Sequence, residues 1–152
     1  MKKTLLLGVL VLFCLSLSAE DHSSQYLNAI GVFSAQTIYL TYTSIEVLAE
    51  RYDLGDFEDA EAVEEVDVYI KFAKQSSDEL EKLQTSGALT GEDIAFANDM
   101  ISGFYLLSSE ANSLKSFINT QEQAHMDSFY AAKTQAWEKI SKLLQLAGDS
   151  EK

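Results

Sequence analysis

TGEDIAFANDMISGFYLLSSEANSLKSFINTQEQ, residues 90–123, decides the fold class. Ile94, Ala97, Ile101, Phe104, Ser108, Ala111, Leu114 and Ile118 recur at spacings of three and four, the period of a helix with one buried face and not of a strand. Thr90 stands where a helix cap belongs, with Glu92 and Asp93 in the first turn, where acids complement the positive end of the helix dipole. Asn119 suits a left-handed stop, and Thr120-Gln121-Glu122-Gln123 has the spacing of a capping box for a following helix. One helix thus ends and the next begins within a few residues, which forces antiparallel neighbours.

The same reading extends in both directions. A first helix runs from Ser24 to Tyr52 and stops at Asp53-Leu54-Gly55. Asp56 can cap a second helix, whose stripe is Val63, Val66, Ile70, Ala73, Ser77 and Leu80 and which closes near Ser86-Gly87. A fourth turns Met126, Phe129, Ala136, Ile140 and Leu143 inward and ends at Gly148. The chain has no proline and only seven glycines to interrupt these segments. The expected fold is all-α, an antiparallel up-down-up-down four-helix bundle, in one domain over residues 20–152.

Residues 1–19 are expected to be a cleaved signal peptide. Lys2 and Lys3 precede the apolar stretch Leu5–Leu17, and the small residues Ser16, Ser18 and Ala19 follow it. The apolar stretch is too short for a spanning helix, which needs ~20 residues, so no stable membrane anchor is expected. Phe13 before Cys14 does not fit a lipid-attachment motif. A cut after Ala19 removes Cys14, the single cysteine, and leaves a domain that cannot form a disulfide even in an oxidising compartment. The implied location is periplasmic or secreted. Losing two lysines takes the formal net charge from −13 to −15, a field that repels nucleic acid and anionic headgroups.

Chemical motifs are sparse. His22 and His125 are the two histidines, and neither is framed by a nucleophile and an orienting acid. Glu122 and His125 share a helical face, but a di-iron bundle needs a second such pair and two further glutamates. Glu122 is accounted for by the helix start. No haem-attachment or phosphate-loop motif is present, so no cofactor is expected and the chain reads as non-enzymatic. Cleavage after Ala19 would make His22 the third residue, where the free amine, two amides and the imidazole can hold Cu(II) or Ni(II) in a square plane. Cleavage one residue earlier removes that site.

Two surfaces point to a partner. From Ser23 to Ile45 there is no charged residue, although a bundle helix ordinarily shows a charged face to solvent. The first helix instead carries two apolar stripes. One is Ile30, Phe33, Thr37, Leu40, Ser44 and Val47; the other is Ala35, Ile38, Tyr42, Ile45, Ala49 and Tyr52. One can face the core and the other needs a cover: a central position in the bundle, a protein partner, a second copy, or an apolar ligand lodged between helices. The tyrosine-bearing stripe, through Ile38, Tyr42, Ile45 and Tyr52, is the expected binding face. The acids Glu58, Asp59, Glu61, Glu64 and Glu65 opening the second helix form a second expected face, suited to a basic partner. A non-enzymatic protein-binding or assembly module is the function these features favour.

Overall fold

The structure, a computed structural model, describes the backbone of residues 2–144 and the side chains of residues 25–144. Four helices follow in order: α1 (Lys2–Asp53), α2 (Asp59–Thr85), α3 (Glu92–Thr120) and α4 (Gln123–Leu143). The chain divides into two compact units, Met1–Phe33 and Ser34–Lys152. The first is the N-terminal part of α1, and the second, a four-helix bundle, holds everything described below. The expected signal peptide and its cut lie outside the residues whose side chains are described. No proline breaks α1, which runs through the expected start at Ser24.

The turns lie where expected, but the capping residues are different ones. Glu58, not Asp56, precedes α2, and the Glu61 carboxylate accepts a hydrogen bond from the Glu58 N–H at 3.3 Å. Gly91, not Thr90, precedes α3. Gly55 and Gly87 both take φ +77°, a left-handed conformation in which a side chain is strained, and each follows a helix end. Between α3 and α4 the left-handed residue is Gln121 (φ 57°), not Asn119. Thr120 is the last residue of α3, and its hydroxyl donates to the Ser116 carbonyl at 2.9 Å. α4 ends at Leu143, ahead of the expected stop at Gly148, which lies outside the described residues.

α3 is the central helix and packs on both α2 and α4. It turns two stripes inward. Ala97, Ile101, Phe104, Ala111, Leu114 and Ile118 belong to the expected one, whose Ile94 is instead exposed, and Met100, Gly103, Leu107 and Glu110 are a second. Gly103 leaves room for α1: a Cβ there would stand 3.3 Å from Ile38 Cδ1. Val66, Ala73, Ser77 and Leu80 of α2 and Phe129, Ala132, Ala136 and Ile140 of α4 complete the core. Each large apolar side chain buried this way contributes roughly 1.5–3 kcal/mol. Lys115–Asp67 joins α3 to α2 and Lys139–Asp99 joins α4 to α3, both at 2.6 Å and both partly exposed. Such pairs fix helix register more than they stabilise it.

One pole is tied by side chains. The Tyr52 hydroxyl donates to Asp59 Oδ1 at 2.8 Å and accepts from Gln121 Nε2 at 2.7 Å. The end of α1, the start of α2 and the α3–α4 turn meet there.

Candidate functional site

α1 decides which surface is free. Of its two stripes, Ala35, Ile38, Tyr42 and Ile45 are buried in the bundle, and Ala49 and Tyr52 pack against that core. The expected binding face Ile38, Tyr42, Ile45 and Tyr52 is therefore corrected: three of these side chains are interior and Tyr52 is the polar tie at the pole. Two apolar stripes on one helix compete for one core. Here the stripe with small residues at Ala35 and Ala49 allows the close approach.

The other stripe is left outside. Leu40 is 62 % exposed and Val47 52 % exposed, and on α2 Val68 and Phe72, at 56 % and 41 %, line the same depression as Leu40. Between the two helices lie two open depressions of about 480 Å³ and 390 Å³. They share Ser44 and Tyr69, so they form one groove that runs along α1 from Thr37 to Arg51. Three of its hydroxyls are taken up by their own helix. Thr41 donates to the Thr37 carbonyl and Ser44 to the Leu40 carbonyl, each at 2.8 Å, and Thr43 donates to Leu40 at 3.0 Å. A side chain satisfied by its own helix presents its carbon atoms to the groove. The uncharged run Ser23–Ile45 thus yields, along that part of α1, a lining more apolar than its serine and threonine content suggests.

Charge lies at the α2 end. Arg51 is occupied locally: Nε donates to Asp56 at 3.1 Å and the guanidinium lies 4.6 Å from the Phe57 ring. Glu65 lines the groove, and Glu58, Asp59, Glu61 and Glu64 are exposed around the same helix start. The expected acidic face is thus at the surface, but its members differ in availability. Asp59 accepts from Tyr52 and Glu61 caps its helix, which leaves Glu64 and Glu65 best placed to face a partner.

A second constellation lies inside the bundle, and sequence reasoning missed it. Glu110 of α3 has 0 % exposure, and neither carboxylate oxygen has a hydrogen-bond partner among the described residues. Burial, and then the charge of Glu46, push its carboxyl up to about 8, against a smaller opposing pull from Lys133. Lys133 of α4 is ion-paired with Glu46 of α1. Tyr42 stands beside them. Its phenol is raised far above the ordinary range by burial, then by hydrogen bonding to Glu46, then by the charges of Glu46 and Glu110. One turn along α4, the only tryptophan, Trp137, packs against Tyr42 at a centroid distance of 5.6 Å and against Tyr39 at 6.5 Å.

His22 lies outside the residues whose side chains are described, so its copper or nickel site stays an expectation. His125 Nε2 is 3.7 Å from Glu122 Oε2 at the start of α4. Among the described residues no group of three or more His, Cys, Asp or Glu side chains converges, and no helix is long and apolar enough to cross a membrane. Compared with known proteins, the chain matches no family model, no curated protein and no solved structure.

Proposed function

We propose that this chain is an exported binding module whose α1–α2 groove receives an amphipathic helix from a protein partner. The observation that supports this reading is the uncovered apolar stripe of Leu40 and Val47 along an open groove, with Val68 and Phe72 lining it beside Leu40 and Tyr69 beside both. At 1.5 Å per residue the groove from Thr37 to Arg51 is about 20 Å long, which matches roughly four turns of a docked helix. Such a helix anchors through apolar residues at i, i+3 or i+4, and i+7. Glu64 and Glu65 favour a partner with lysine or arginine along one flank, which also speeds encounter with a chain of net charge −13. The same charge disfavours a second copy as the occupant. Export rests on Lys2, Lys3 and the apolar stretch that follows them.

The test uses defined probes. A sixteen-residue amphipathic peptide with a leucine face and a lysine flank is titrated by calorimetry, beside a counterpart with glutamates on the flank. The lysine peptide is expected to bind, to weaken as salt rises, and to lose at least tenfold in affinity against a Leu40→Glu/Phe72→Glu variant. Equal binding of both peptides, or indifference to the double substitution, would refute the groove as the docking site. So would a dimer of the unliganded chain in sedimentation equilibrium that the substitution dissociates.

A further inference from the structure

We propose that Glu110, Glu46 and Lys133 form a proton-operated latch that holds α4 against α1, closed while Glu110 carries its proton and released when the proton leaves. Three helices contribute one charged group each. α1 supplies Glu46, α3 supplies Glu110 and α4 supplies Lys133, and the Glu46–Lys133 ion pair is the clasp between α1 and α4. Tyr42 is the other titratable group facing Glu110, and it stays neutral throughout the relevant range because burial and the two glutamates oppose its ionisation. α2 turns Ala62, Val66, Ala73 and Ser77 inward, none of which titrates.

There is one ammonium for two carboxylates. With the proton on Glu110, the Glu46 and Lys133 charges cancel and the interior is neutral. Without it, a net negative charge sits between Leu107 and Leu114, both with no exposed surface. An uncompensated buried charge is strongly unfavourable. Either Lys133 leaves Glu46 for Glu110 or water enters along the seam, and both routes open the clasp. Lys133 and Glu46 are partly exposed, at 33 % and 23 %, so the seam lies next to solvent and can admit it. The weakly alkaline titration of Glu110 sets the pH range. Trp137, one turn from Lys133 and packed on Tyr39 and Tyr42, reports directly on that seam.

The test is acrylamide quenching of Trp137 in the full chain between pH 6 and 9.5, with circular dichroism at 222 nm alongside. A reversible rise in quenching centred near pH 8 is expected, with the helix signal constant. The rise should vanish in Glu110→Gln. In Glu46→Gln, which removes the clasp itself, quenching should already be high at pH 6 and show no further step. A flat wild-type profile, the same transition in Glu110→Gln, or a Glu46→Gln protein quenched no more than the wild type at pH 6 would overturn the latch. Loss of helix signal in step with quenching would also overturn it, since that describes unfolding of the whole bundle.

Discussion

Replacing Glu110 with glutamine should make the bundle more stable at neutral pH, by an amount that grows as the pH rises. The carboxyl titrates at 4.5 in an open chain and at about 8 in the fold. Between those values the folded state keeps a proton that the unfolded state has lost. The unfolded chain then binds fewer protons, so stability contributed by this group falls with increasing pH. It is intact below the open-chain value and falls at roughly 1.4 kcal/mol per pH unit until the folded carboxyl itself ionises. Glutamine has nearly the same shape, is neutral at every pH, and leaves a comparable buried polar group, so the two proteins should agree in acid. The gap should be about 1 kcal/mol at pH 5.5, about 3 kcal/mol at pH 7 and about 5 kcal/mol above pH 8. Urea unfolding followed at 222 nm, repeated across that range for both proteins, measures it. Only the difference between the two curves matters, because every other titrating group cancels. Parallel curves would show that Glu110 reaches solvent or a partner when ionised, and the account of it as an isolated interior carboxyl would be wrong.

The assignment of the two α1 stripes makes a paired prediction: Ile45→Ala, at a side chain 1 % exposed, should cost about 2–5 kcal/mol in urea unfolding. Val47→Ala, two residues on and 52 % exposed, should change stability by less than about 0.5 kcal/mol; equal effects would mean the helix is rotated. Tyr52→Phe removes the hydroxyl that links Asp59 to Gln121 and should cost about 1 kcal/mol in the same assay. A Tyr52→Phe protein as stable as the wild type would mean that water replaces both hydrogen bonds.

The number of helices, their antiparallel order, most inward residues of α2 and α4 and one of the two inward stripes of α3 were legible because a stripe at helical spacing points to a face. The ends were legible only to within a few residues, for a tertiary reason. Asn119 has the better local preference for a left-handed stop, yet Gln121 takes that conformation. Its side chain reaches Tyr52 at 2.7 Å and the Ile118 carbonyl at 3.1 Å, and no local rule contains Tyr52. The two stripes of α1 show the same limit. Both are apolar at the right spacing, and only the neighbours that press against Ala35, Ile38 and Ile45 select between them.

Glu110 is a different kind of omission, because its signal was in the chain. Met100, Gly103, Leu107 and Glu110 keep helical spacing as well as the stripe beside them, and the acid holds a place in that series. Lys133 does the same among Phe129, Ala136 and Ile140. Composition treats such residues as surface, since charged side chains are seldom buried without a partner. Register places Glu110 inside and Lys133 at the edge of the core, because a helix cannot turn Leu107 and Leu114 into the core without taking Glu110 with them. Register prevails when the apolar residues on either side are worth more than the acid costs. The acid then lowers its cost by remaining protonated, which is why the least exposed carboxyl in the bundle is also the one set to respond to pH.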